Sequence, residues 1–495
     1  MGEVGNLTLL GKRQMKRLRA TAVGNGLWVL IAFTSGCALP AQEHHAGCTA
    51  AHQECLATAA GLAQTIPAHQ TIPSRVELVA AEGRPDFAGV EELTEQAVVD
   101  QVIARNPTLA QMAAAYDAAA ARFPQVTSLD DPMLTGALAP ASLGSNRVDA
   151  GYRVEVAQKF PYPGKLQLRG QTALAEASAA GNDVEDMKLQ LIESAKAAFY
   201  DYYLVDRARA VNEEGLKLLN EIRQDAFTRF KNGQTPEQDF RQADVEIGKQ
   251  RERGLLLERM RRVTIARLNT LMNLPVDSPL PRAPQTLEAI AKLPEADRLR
   301  SLALARRPDL KALADRVAGE EAALALAQKE YYPDFEASAA YDSIMGNGPA
   351  RDLAPQVGLR LNMPLRRSRR SAGVLEAQAR LAQRSAELIS RTNQINLQVQ
   401  EAYEQLVESE KVIGLYDKTI LPAAKENARA AQAAYAATKV PILSLVEAQR
   451  NLVNLRDRQY EAMADYFRRR ATLERVIGGP LPTVETTPSI PSGPK

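Results

Sequence analysis

Arg105-Asn106-Pro107-Thr108-Leu109 returns as Arg306-Arg307-Pro308-Asp309-Leu310, a shift of 201 residues. Other signposts recur around this pair in the same order. A strand-like run ending at Phe160-Pro161 is repeated at Met363-Pro364, shifted by 203. Phe230-x-x-Gly233-x-x-Pro236 with Ala243 becomes Tyr435-x-x-Thr438-x-x-Pro441 with Ala448, shifted by 205. Leu268 and Pro275 become Leu473 and Pro480 at that same shift. Ordered recurrence of this kind marks a tandem duplication of one large unit rather than two unrelated domains.

The 495 residues divide accordingly. Residues 1–36 read as an export signal and 37–92 as a linker containing histidine and cysteine. The two repeats occupy 93–290 and 291–481. The tail, 482–495, is rich in proline, serine and threonine, a composition that does not order itself. Alanine, leucine, arginine, glutamate and glutamine dominate, and only 5% of residues are aromatic, which favours long helices.

Each repeat has the same plan: a short helix, two strands, a long helix, a turn and a second long helix. The first short helix begins near Leu93 with Thr94 as its N-cap and runs on past Pro107. Its counterpart covers Glu295–Glu330. In Tyr152–Gln158 and Val357–Met363, apolar residues alternate with polar ones, and the phases agree at a shift of 203. Such strands have one apolar and one polar face. Met133–Ala139 and Phe335–Tyr341 are their partners across loops containing Gly144-Ser145-Asn146 and Gly346-Asn347-Gly348-Pro349. The pattern suits either a bilayer-spanning barrel or a soluble hairpin on a core. Four strands alone cannot close a lipid-facing barrel, because their edges stay unpaired.

The helices discriminate between these. Between Lys165 and Phe230 there is no proline, and Leu191, Ala195, Ala198, Tyr202 and Val205 form a coiled-coil seam. Such a rod is ~100 Å long and needs neighbours along its length. The second rod runs from about Ser371 to Ala437 and is kinked by Pro422. Return helices start after Pro236 and Pro441, where proline fits a first turn.

At the N-terminus, Lys12, Arg13, Lys16, Arg17 and Arg19 precede the apolar Gly26–Phe33, a run too short to span a bilayer. Met1 or Met15 is the start. Thr34-Ser35-Gly36-Cys37 resembles a bacterial lipobox, which makes Cys37 a lipidation site; ordinary secretion is the alternative. Removing five basic residues and one acidic residue with the signal leaves 56 basic against 58 acidic, changing the net charge from +2 to −2. That balance gives no reason to expect nucleic acid as a partner. No other segment approaches transmembrane-helix length, so membrane insertion requires strands.

All three cysteines and all four histidines lie between Cys37 and His69. His44, His45, Cys48, His52 and Cys55 combine the ligand types that hold copper(I) or zinc. A local Cys48–Cys55 disulfide with solvated histidines is the competing reading.

Taken together, these residues resemble the TolC-type outer-membrane efflux proteins over about 93–481. Phe160-Pro161-Tyr162-Pro163-Gly164-Lys165-Leu166 with Arg169, and Asp131-Pro132-Met133-Leu134, resemble the subgroup serving heavy-metal resistance-nodulation-division (RND) pumps. Tyr435 with Leu443–Leu452 resembles the family's turn-and-helix motif. The resemblance implies a mainly α, TolC-like fold assembled as a homotrimer. A twelve-stranded outer-membrane β-barrel would continue into a periplasmic α-helical barrel. Phe160, Tyr162, Tyr331, Tyr332 and Phe335 would stand near the junction, either as interfacial aromatics or as plain packing.

No catalytic constellation accompanies this plan: the repeats contain neither histidine nor cysteine, and no Walker loop occurs. A passive conduit is expected, with no required cofactor and with copper, zinc, cobalt or an organic compound as cargo. Its partners would be outer-membrane lipid, a periplasmic adaptor (membrane fusion protein) and an inner-membrane RND pump. The family's acidic constriction maps onto Ser444 and Glu447, and onto Asp239 and Gln242. Glu447 and Asp239 would form carboxylate rings, and Arg241 or Arg450 would latch the tip; a plainly exposed Glu447 is the alternative. Gly233, Pro236, Thr438 and Pro441 mark the turns, and Thr438, replacing glycine, predicts a differently shaped second tip. A periplasmic adaptor or a metal-binding lipoprotein are the competing function classes, though neither requires duplicated hairpins with paired strands.

Overall fold

In the computed structural model, the described residues are 87, 91–139, 150–287, 293–345, 351–352 and 355–482. The first repeat comprises α1 (Glu95–Arg105), α2 (Pro107–Ala120), α3 (Arg122–Thr127), β1 (Met133–Ala139), β2 (Ala150–Phe160), α4 (Lys165–Lys231) and α5 (Glu237–Leu271). The second comprises α6 (Ala296–Arg306), α7 (Pro308–Lys329), β3 (Phe335–Met345), β4 (Arg351–Asp352), β5 (Gln356–Leu361), α8 (Arg367–Leu415), α9 (Leu421–Ala436) and α10 (Ile442–Val476).

Thr94 caps α1 as expected, its Oγ1 accepting from the Ala97 amide at 3.3 Å. The helix does not run on past Pro107, however. It ends at Asn106, whose ψ of 122° is extended, and a new helix starts at Pro107. Arg307 has the same ψ before Pro308 and likewise divides the expected Glu295–Glu330 helix. The cause is steric, since the proline ring drives the preceding residue out of the helical region. The two breaks are then used alike. Asn106 Nδ2 donates to the Leu271 carbonyl at 2.9 Å, and Arg307 Nη1 donates to the Val476 carbonyl at 3.4 Å. Both acceptors are last-turn carbonyls left without an intrahelical donor.

The 67 residues of α4 form one uninterrupted helix, ~100 Å long. Leu191, Ala195, Ala198, Tyr202 and Val205 are all buried, so the apolar seam is the packing face. The second rod is divided, because Tyr416–Ile420 forms a π turn between α8 and α9. Pro422 supplies no N–H for the carbonyl four residues earlier, and the widened turn absorbs that loss. Leu93, Tyr202, Leu268, Leu299, Ile395, Leu406 and Leu473 belong to one core, which draws on α1, α4, α5, α6, α8 and α10.

The strands form one antiparallel sheet in the order β1–β2–β3, with β4 and β5 both paired to β3. The repeats therefore join within the sheet. Val154 stands opposite Tyr341 and Phe160 opposite Phe335. Leu138 is 82% exposed and Val357 89% exposed on a face shared with Leu134, Val156 and Leu359. The opposite face carries ion pairs: Arg360 to Glu155 at 2.8 Å and to Glu336 at 2.7 Å, and Arg153 to Glu155 at 3.2 Å. A two-residue alternation has thus sorted leucine and valine from charge. At the foot of the sheet, Tyr162 and Tyr332 stack with centroids 4.6 Å apart. No described helix is long and apolar enough to cross a membrane.

Candidate functional site

The two hairpins end in turns built alike. In the first, the Gly233 amide donates to the Phe230 carbonyl at 2.9 Å, and the Gln234 amide to Arg229 at 2.9 Å. In the second, Thr438 donates to Tyr435 at 3.0 Å and Lys439 to Ala434 at 2.9 Å. This paired closure requires a left-handed residue, and Gly233 and Thr438 supply it with φ of 69° and 57°. The expectation of a differently shaped second tip is therefore corrected: Thr438 takes the glycine conformation despite its branched side chain. Pro236 and Pro441 follow with matching φ of −71°, each preceding the first residue of the return helix.

Beyond the turns the hairpins share a small core of Ile222, Ala226, Phe240, Tyr435, Ile442, Leu445 and Val446, separate from the main one. Arg229 lies across it from the first repeat to the second. Its guanidinium carbon is 5.0 Å from the Tyr435 ring centroid, and Nη1 donates to the carbonyls of Tyr435 and Ala436 at 3.5 and 3.4 Å. Asp225, one turn earlier, holds its Nε at 3.0 Å. A cation at these last-turn carbonyls is favoured by hydrogen bonding and by the helix dipole. Burial pushes the Tyr435 hydroxyl above its ordinary value, and the Asp239 carboxylate adds to the effect. Burial alone raises Asp239.

The anticipated constriction residues divide into two sets. Ser444, Glu447 and Arg450 are exposed on α10 and line a groove of about 720 Å³ against α9, with Asn427, Asn451 and Asn454. Asp239 and Gln242 are half-buried on α5, outside that groove. Neither arginine anticipated as a latch bridges the two hairpins within this chain. Arg241 pairs with Glu237 of its own helix at 3.1 Å, and Arg450 makes no ion pair or hydrogen bond to a described residue. Arg229 makes the cross-hairpin contact instead. Sequence reasoning passed over it, although an arginine in the last turn before a glycine is a recognisable C-cap signal. At a shift of 205 its counterpart is Ala434, so the contact runs one way only.

Cys37, His44, His45, Cys48, His52 and Cys55 lie outside the described residues, as do the signal and the end of the tail. Among the described residues, no group of three or more His, Cys, Asp or Glu is placed to hold a metal ion.

Comparison with known proteins addresses what an amphipathic sheet on long helical hairpins belongs to. Residues 299–479 match the family model described as outer membrane efflux protein. The match falls within the second repeat. No curated protein matches the chain by sequence. Solved structures share its TolC-like fold at low identity. CusC, studied for folding and transmembrane channel formation, is 15% identical with a TM-score of 0.70, covering 78% of this chain and 92% of that one. The outer membrane protein VceC of Vibrio cholerae is 17% identical with a TM-score of 0.67, covering 78% and 96%. The open-state MtrE outer membrane channel of Neisseria gonorrhoeae is 17% identical with a TM-score of 0.65, covering 78% and 89%. CusC and MtrE are thus both described as channels.

Proposed function

We propose that the chain is the outer-membrane channel of a tripartite efflux system, a passive conduit from periplasm to exterior. The observation that carries this reading is one continuous structure: an apolar-faced sheet whose edges are unpaired among the described residues, attached to a helix ~100 Å long. In a homotrimer the strands gain closure and the helices gain neighbours, so both costs are removed together. The leucine and valine face would meet lipid, while Arg153, Glu155, Glu336 and Arg360 would face an aqueous lumen. Cys37 would add a lipid anchor. An inner-membrane RND pump, coupled through a periplasmic adaptor, would supply the energy.

The hairpin tips are the gate in this reading. Glu447 is exposed on α10, and three copies would make a carboxylate ring that attracts cations. Arg229, clasping Tyr435, would hold the two hairpins of each subunit closed. The Phe160–Leu166 motif supports metal cations as cargo, with the His44–Cys55 segment as a transient contact for copper, zinc or cobalt. The assembly test is direct: mature protein in outer-membrane fractions should migrate as a heat-resistant trimer and conduct in planar bilayers. A compact, water-soluble monomer would overturn the proposal. For cargo, deletion should sensitise cells to one of these metals; sensitivity to organic compounds alone would exclude the metal reading.

A further inference from the structure

The apolar line on the sheet does not stop where β5 stops. Val357, Leu359 and Leu361 of β5 are exposed, and Met363 and Leu365 continue the spacing of two beyond it, Leu365 being 81% exposed. The next residues are Arg366-Arg367-Ser368-Arg369-Arg370, at the start of α8. Arg366, Arg367 and Arg369 are exposed and Arg370 is half-buried. Four cations thus adjoin the lower end of an apolar strip.

The repeated fold does not require them. At the shift of 203 they match Pro163, Gly164, Leu166 and Gln167, so the first repeat passes from strand to helix without a charge at any of the four positions. Lys165, the cation that the first repeat does carry there, is buried and held by Asp334 and Glu330 at 2.9 and 3.5 Å. Those carboxylates are therefore engaged, and Glu336 is paired with Arg360 at 2.7 Å. None of the four arginines forms an ion pair with a described residue. Arg370 donates to backbone carbonyls, those of Glu330 at 2.6 Å and Arg366 at 3.4 Å. The first turn of α8 holds no acidic residue, and cations there oppose the helix dipole. The cluster costs the helix stability, and a neighbouring anion offsets that cost.

We infer that Arg366, Arg367, Arg369 and Arg370 bind the phosphates of anionic phospholipids in the periplasmic leaflet of the outer membrane. This rests on the channel reading above, in which the apolar strip meets lipid. Leu361, Met363 and Leu365 would then mark the edge of the hydrocarbon, and the arginine stems are long enough to set their guanidinium groups at headgroup level. Guanidinium meets phosphate through paired hydrogen bonds and keeps its charge at neutral pH. Each basic residue beside an anionic membrane strengthens binding by roughly fivefold, a gain that a zwitterionic surface does not supply. Asp130 and Asp131 precede β1 at the far edge of the sheet and are two charges against four. Contact with them across a trimer would leave the cluster cationic.

The mature chain, extracted in mild detergent as the trimer, provides the test. Phosphatidylglycerol and phosphatidylethanolamine are titrated separately, and retained lipid is counted by native mass spectrometry. Phosphatidylglycerol should be held several-fold more tightly, and inorganic phosphate should not displace it. Combining Arg366→Gln, Arg367→Gln, Arg369→Gln and Arg370→Gln should abolish the preference while leaving the yield of heat-resistant trimer unchanged. Arg366→Lys with the matching changes at the other three positions should keep part of the preference. Equal retention of the two lipids by wild-type trimers would overturn the inference and leave the channel reading standing. Loss of trimers in the first quadruple variant, restored in the second, would assign the arginines to contacts between subunits instead. A wild-type chain that never trimerises would remove the channel reading and this lipid site together.

Discussion

Arg229 of α4 is fixed over Tyr435 of α9, its guanidinium carbon 5.0 Å from the ring centroid and its Nη1 3.5 Å from the same residue's carbonyl. With only 18% of the Arg229 side chain exposed, the contact is sheltered from water and worth more than a surface pair. Arg229→Ala should loosen the tip by about 1–3 kcal/mol. In planar bilayers, that appears as a raised open probability. Arg229→Lys should recover part of the closure, because it keeps the charge but loses the planar fork. Unchanged gating in both variants would remove the clasp from the mechanism.

Asp239 gives the same tip a pH dependence. Burial raises its carboxyl above the ordinary value of 3.8, so the packed tip binds that proton more tightly than an opened one. The penalty for a charged Asp239 is absent below that ordinary value and develops as pH rises through the raised one. Closed channels should therefore be more stable at about pH 4 than at about pH 7. Asp239→Asn should flatten this part of the profile. A steeper profile in that variant would contradict the assignment.

Glu447 is exposed in the groove beside α9 and has no ion-pair partner among the described residues. Glu447→Gln should weaken block of the channel by divalent cations while leaving trimer yield unchanged. Identical block in both proteins would show that the constriction lies elsewhere.

Lys196 stands between two carboxylates, Glu95 and Glu474, each 2.7 Å away. Burial pulls its ammonium down, but the two partners outweigh that and hold it above 10.5. Its stabilisation is therefore complete below 10.5 and is lost only as pH rises through the raised value. Lys196→Met would leave the carboxylates facing each other and cost about 3 kcal/mol near neutral pH. Thermal unfolding near neutral pH should show that deficit, and an unchanged melting temperature would remove the bridge from the stability of the fold.

Thr438 occupies the left-handed region with φ of 57°, a conformation that a β-branched residue adopts at a cost. Thr438→Gly should stabilise the second turn by about 1 kcal/mol. Amide exchange at Lys439, which donates to the Ala434 carbonyl at 2.9 Å, should slow accordingly. Faster exchange would show that the threonine contributes more than it strains.

Much of this was legible in the sequence. The seam from Leu191 to Val205 identifies the buried face of α4, and the alternation in Tyr152–Gln158 identifies β2. Pro422 predicts an interruption in the second rod, which the structure shows as a π turn. The breaks before Pro107 and Pro308 were legible in principle from the same rule that explains them. Less accessible was the equivalence of Asn106 and Arg307, residues of different chemistry that reach Leu271 and Val476 at a common shift of 205. At the tips, the positions of the turns are readable in the sequence, whereas the contact of Arg229 with Tyr435 is not, because it depends on the second hairpin lying beside the first.

What the sequence determined by itself was everything set by spacing along the chain: helices where the apolar period is three and four, strands where it is two, and turns where glycine and proline fall. These depend on backbone geometry over a few residues, so they survive without knowledge of neighbours. Only the tertiary structure decided that β2 meets β3 across the repeats, that Arg229 reaches Tyr435, and that Thr438 is held left-handed. Each depends on surfaces brought together from distant parts of the chain or on a turn closed by its surroundings, where packing energy selects among conformations that local sequence leaves nearly equal.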